Sequence, residues 1–156
     1  MNRAGWTVAF TVCIMGTFAG AAAAGQSQTA TTSAANATAR ADSLRSTQSG
    51  VFTEAQAKRG EQTYAGICRS CHTPTEHTGA AFNQNWNAHP LSDLFKYLCQ
   101  SMPKDDPGSL DPNDAADVIA FLLKLNAMPA GSAELAPDTV ALKKILIDTR
   151  TTRPTP

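Results

Sequence analysis

"CRSCH", residues Cys68–His72, decides how this chain is read. It sets two of the chain's four cysteines three residues apart and follows them directly with a histidine. On its N-terminal side, Thr53 and Gln56 have the spacing of a capping box, so a helix should start there and run to about Ile67. Gly60, Tyr64 and Ile67 then share one stripe of that helix. On the C-terminal side, Thr73-Pro74 and Gly79 read as loop. Residues 82–90 also read as loop, with Phe82 and Trp86 as apolar anchors among asparagines.

His89-Pro90 opens the next predicted helix. Leu91, Leu94, Phe95, Leu98 and Met102 recur at helical spacing along one apolar face, which Pro103 ends. After a turn-rich loop over 103–112, Asp111-Pro112 with Asp114 forms a helix start. Its predicted buried face holds Ala115, Val118, Ile119, Leu122 and Leu125, with Phe121 beside it. Residues 51–130 therefore read as three helices and long loops, with no strand alternation and no internal repeat. A further amphipathic candidate, Thr139 to Ile147, lies in the tail, 131–156.

The 156 residues suggest one domain plus extras. Thirteen basic residues balance thirteen acidic ones, so no charge excess points to nucleic acid or an anionic membrane. Arg3, the apolar run Trp6–Phe18 and the small residues Ala22 and Ala24 have the layout of a secretory signal peptide over 1–24. The run is short for a membrane anchor of roughly 20 residues. The expectation is therefore export, with no membrane span in the mature chain. Cys13 would leave with the signal, and three cysteines would remain, an odd number that argues against a disulfide framework. Residues 25–50 hold one large apolar side chain, Leu44, among Ser, Thr, Ala, Gln and Gly. They read as a flexible leader, with order beginning at Val51.

Three chemistries use a piece such as CRSCH. A structural zinc site needs four ligands, commonly from a second Cys or His pair, and here only Cys99, His77 and His89 remain. A thiol–disulfide couple usually stands at a helix start beside a strand, whereas this pair follows a helix. A covalent haem uses the spacing directly: each thiol adds to one vinyl group, and the adjacent histidine reaches the iron. An apolar content concentrated in a few helices is thin for some 80 residues, and a buried haem would act as a staple. For the second axial ligand the mature chain has Met102 and Met128, each followed by proline. Met102 ends a helix where a loop begins. Met128 lies beyond a helix of about 14 residues, roughly 21 Å of travel, and reads as a core or helix-end contact. His77 and His89 read as surface loop residues. Histidine with methionine raises the potential, because a thioether favours ferrous iron.

These residues resemble the monohaem c-type cytochromes of the bacterial periplasm, in the cytochrome c superfamily. The likeness spans about 52–130, through FTEAQAKRGEQTYAGICRSCH, FNQNWN, LSDLF, MPKDDPGSL and ADVIAFLLKLNAMPAG. It implies an all-α fold, a cytochrome c-like small helical domain around one haem. It implies thioethers at Cys68 and Cys71, His72 and Met102 on the iron, and first and last helices crossing where Gly60 approaches the side of Phe121. Thr73 departs from the glycine many relatives carry after the histidine, and Cys99 has no part in the pattern. Cys99 falls on the apolar helix face and reads as a small buried hydrophobe. Phe82 and Trp86 are candidates for packing on the haem.

The function this implies is electron transfer by haem c cycling between Fe(II) and Fe(III), not enzymatic turnover. A periplasmic dehydrogenase would be the donor, and an oxidase or another cytochrome the acceptor. Residues 51–130 carry six bases and nine acids, which does not support a strongly basic docking ring. The rival reading is a haem enzyme or gas- or peroxide-binding protein with an open distal position. A third is an assembly subunit tethered by the leader.

Overall fold

The computed structural model describes residues 44–150; the predicted signal peptide and most of the predicted leader lie outside the described residues. Helix α1, Glu54–Thr63, continues through a wider turn at Tyr64–Cys68. A tight 3-10 turn, Pro74–His77, leads to α2, Gly79–Trp86, then α3, Leu91–Ser101, and α4, Pro112–Leu125. A short α5, Thr139–Leu142, follows in the tail. Two-residue strands β1, Arg45–Ser46, and β2, Ile145–Leu146, pair in parallel.

The start of α1 follows the sequence pattern, with one change. Thr53 accepts a hydrogen bond from the Gln56 backbone N–H at 3.0 Å, as a capping residue should. Gln56 does not return the bond. Its side chain is buried and pairs with the backbone of Leu135, accepting from the N–H at 2.8 Å and donating to the carbonyl at 3.0 Å. A buried amide with both ends satisfied fixes the tail to α1, because losing either bond would strand a buried backbone group.

Helices α1 and α4 cross in backbone contact. A Cβ at Gly60 would lie 1.8 Å from the Asp117 carbonyl oxygen and 2.9 Å from the Val118 nitrogen. Close approach therefore falls one turn before Phe121, whose ring meets Tyr64 at a centroid distance of 5.4 Å. Arg59 closes the crossing from outside, bonding Asp117 at 2.8 Å and Glu134 at 2.8 Å. Arg59 and Glu134 are exposed enough that the net contribution of their pair is small. Helix α4 starts as the sequence predicts, with Asp111 accepting from the Asn113 N–H at 2.8 Å and Pro112 in the first turn. It is buried on nearly all sides from Ala115 to Leu123, wider than the stripe expected, because α1, α3 and the cavity described below surround it.

Two expectations are corrected, and the packing of the tail, left open by the sequence, is decided. The loop predicted over 82–90 is helical in its first half, as α2. Asparagines are weak helix formers, but burial of Phe82 and part-burial of Trp86, one turn apart, hold the helix in place. Order begins before Val51: Arg45 and Ser46 pair with Ile145 and Leu146, and Thr47 is fully buried. The tail is part of the core, since Leu135, Leu142, Ile145 and Ile147 are buried. The absence of strand alternation was a correct reading of pattern, but two residues are too few to show one.

The leader end and the tail form a clasp. Thr47 Oγ1 accepts from the Asp148 N–H at 2.9 Å, and Gln48 Nε2 donates to the Asp148 carbonyl at 2.7 Å. The clasp also holds the chain after α2, where the Ala88 N–H donates to the Ile147 carbonyl at 2.8 Å and the Ile147 N–H to the His89 carbonyl at 2.9 Å. Arg150 holds the Asp148 carboxyl down to about 2 from its ordinary 3.8.

Two outcomes follow from this packing. Gly60→Ala should cost roughly 3 kcal/mol, because the methyl meets backbone that cannot rotate away; chemical denaturation of the haem-loaded protein would measure it. A carboxyl whose folded value is depressed stabilises the fold above its ordinary value and stops doing so as pH falls through the folded one. The Arg150 contact with Asp148 should therefore weaken as pH falls from 3.8 to about 2, visible as shifts of the Asp148 and Arg150 NMR signals, and Asp148→Asn should already show the weakened contact at neutral pH.

Candidate functional site

The wider turn at Tyr64–Cys68 ends α1 at the edge of a cavity. Such an inserted residue in a helix often marks a functional position. Here it delivers the cysteine pair: the Cys71 and His72 N–H groups both donate to the Cys68 carbonyl, at 3.2 and 3.0 Å. That compact turn places Cys68, Cys71 and His72 together on one wall. The neighbouring loop is held to α4 through Asn126, whose Nδ2 donates to the His77 carbonyl at 2.9 Å and whose Oδ1 accepts from the Gly79 N–H at 3.1 Å.

The remaining walls come from other elements. Phe82 and Trp86 are contributed by α2, Leu94 and Leu98 by α3, and Val118 and Leu122 by α4. Met102 follows α3 directly. Its backbone has left helical geometry, with φ of −125° and ψ of 151°, and its side chain also lines the cavity. All six residues that the sequence singled out, Cys68, Cys71, His72, Phe82, Trp86 and Met102, thus meet at one place. Met128 is buried away from the cavity, in agreement with a helix-end packing role. Cys99 is half-buried and does not line the cavity; burial pushes its thiol up.

His77 corrects its reading as a surface residue. It lines the cavity, its ring 5.0 Å from that of His72 and edge-on to Tyr64 at 5.9 Å, and burial lowers its affinity for a proton. His89, by contrast, is exposed and faces Asp93 at 3.7 Å. Sequence reasoning also missed Tyr97 as a cavity residue. It lies three residues after Leu94 on α3, so its helical spacing was available as a signal.

A flat apolar ring carrying iron fits these walls. Ile67 and Tyr97 are 39% and 42% exposed at the cavity, large apolar surface that such a ring would cover. Tyr64 is 2% exposed, and its hydroxyl has no protein partner. A buried hydroxyl beside a cavity is a hydrogen-bonding group available to a bound molecule. The donors are two free thiols, an imidazole and a thioether, the last two suited to iron. Among the described residues no three His, Cys, Asp or Glu side chains converge as a protein-only metal site would need.

Residues 55–122 match the family model for cytochrome c oxidase, cbb3-type, subunit III. They form a monohaem c-type cytochrome domain. No curated protein and no solved structure gave a significant match. The matched stretch opens within α1 and closes within α4, so it contains the crossing helices and the cavity between them. The cytochrome fold is the small all-α one expected, and its cofactor is covalently bound haem c with its iron. Haem-based electron transfer is the activity of the family domain.

Burial raises the Cys68 thiol, which keeps it protonated in the haem-free chain, while Cys71 is exposed. Burial likewise raises Tyr64, so its hydroxyl keeps its proton. No helix among the described residues is long and apolar enough to cross a membrane.

Phe82 is 1% exposed, so Phe82→Ala should cost roughly 3–5 kcal/mol. The denaturant midpoint of the haem-loaded Phe82→Ala variant would measure it.

Proposed function

We propose that this protein is a periplasmic electron carrier. In this reading Cys68 and Cys71 hold the haem by thioether bonds, and His72 and Met102 are the two axial ligands. Phe82 and Trp86 pack against the ring. The single observation that carries it is the convergence of Cys68, Cys71, His72 and Met102 on one apolar cavity from two separate segments of chain. The haem supplies the one-electron Fe(II)/Fe(III) couple.

The protein's own contribution is burial and position. Leu94, Leu98, Val118 and Leu122 exclude water from the cavity, which lowers the reorganisation that accompanies a change of charge. With His72 and Met102 both holding the iron, no position would be left on it for a substrate. Ile67, Tyr97 and Lys104, at the exposed side of the cavity, offer an edge for brief contact with partners. Such contacts are small and transient. The donor in this reading is a periplasmic dehydrogenase, and the acceptor an oxidase or another cytochrome. Export through a cleaved signal peptide over residues 1–24 is supported by Arg3, the apolar run and the alanines before Gly25.

Absorption spectra of the exported protein test the reading. Colour should remain with the denatured chain, the ferric form should show the red band of methionine-ligated iron, and carbon monoxide should not shift the ferrous spectrum. Met102→Ala should lose the red band and bind carbon monoxide readily. An immediate carbon monoxide shift in the unsubstituted protein would sink the carrier reading and favour an open-iron function.

A further inference from the structure

We infer that Glu76 is a positioning residue for His72: its carboxylate takes the proton-bearing Nδ1 of the imidazole, leaves Nε2 as the iron ligand, and lowers the reduction potential of the haem. This rests on His72 being an axial ligand, as proposed above.

The geometry comes from the five residues after the cysteine pair. The turn Pro74–His77 is closed by the Glu76 N–H donating to the Thr73 carbonyl at 3.1 Å. It returns Glu76 to His72, with Oε2 3.4 Å from Nδ1. Thr73 holds the other carboxylate oxygen, its hydroxyl donating to Oε1 at 3.0 Å. Each oxygen of Glu76 therefore has its own partner, and the carboxylate is fixed in orientation. Thr73 is the position at which this sequence departs from the glycine common in its family. A glycine there would have no hydroxyl to give.

The chemistry follows from what each group can donate. An ionised carboxylate only accepts hydrogen bonds, so the imidazole nitrogen facing it must carry the proton. A neutral imidazole has one such nitrogen, and the other then holds the lone pair a metal needs. A carboxylate on the far nitrogen of a ligating histidine also makes the ligand more basic. A more basic ligand and an added negative charge both favour ferric over ferrous iron.

The test uses the exported, haem-loaded protein, with Glu76→Gln, Glu76→Ala and, as a charge control, Asp105→Asn. Asp105 lines the same cavity from the loop after Met102. Two quantities are read: the midpoint potential, and the Nδ1–H proton resonance of the axial imidazole in the ferrous state. Glu76→Ala should shift the ferric-to-ferrous ratio at fixed poise about tenfold towards ferrous, about 59 mV upward, and move the Nδ1–H resonance. Glu76→Gln, which keeps an acceptor oxygen, should lie between. Asp105→Asn should leave the resonance in place, whatever its effect on potential. An Nδ1–H resonance indifferent to both Glu76 variants, with His72 assigned as the axial residue, would overturn the brace alone. Assignment of the axial imidazole to another histidine would overturn the ligand reading, and the brace with it.

Discussion

The backbone contact between α1 and α4 is the constraint on which the rest of this structure depends. At Gly60 no side chain fits between the helices, since a Cβ would overlap the Asp117 carbonyl. Approach this close sets the direction of α1, and that direction sets where the wide turn at Tyr64–Cys68 ends. The cysteine pair reaches the cavity because the helix before it is held against the last long one. Tyr64 and Phe121 extend the same contact one turn further, and Tyr64 also lines the cavity.

The cavity wall opposite CRSCH depends on a different support. Trp86 ends α2, and the next residues are bonded to the tail through Ala88, His89 and Ile147. The tail in turn is held by Thr47 and Gln48 on one side and by Gln56 through Leu135 on the other. Residues near both ends of the described chain therefore brace the loop that follows Trp86. A domain with few large apolar residues gains core this way without lengthening its helices. Leu142 and Ile147, fully buried, come from a segment outside the stretch that matches the cytochrome family.

Most of the site was legible because its chemistry is local. Two thiols, a spacing of three and the next histidine lie within five residues, and a methionine at a helix end with a proline after it is a local signal too. The helix starts at Thr53 and Asp111 were legible for the same reason: capping is settled within three residues. Helix α2 was not. Its sequence, rich in asparagine, has weak helical preference, and only contacts with distant residues hold Phe82 and Trp86 in place. His77 was misplaced because Asn126, 49 positions away, turns its loop inward.

By itself, the sequence determined the covalent character of the site and the apolar faces of α3 and α4. Each of these is written in residues within a few positions of one another. Only the tertiary structure decided that Met102 and Cys68 share a cavity, that the end of the leader pairs with the tail, and that Gln56 turns inward to Leu135 rather than back to Thr53. Those outcomes depend on which buried polar groups find partners across 30 to 100 residues of chain, and no local pattern carries that information.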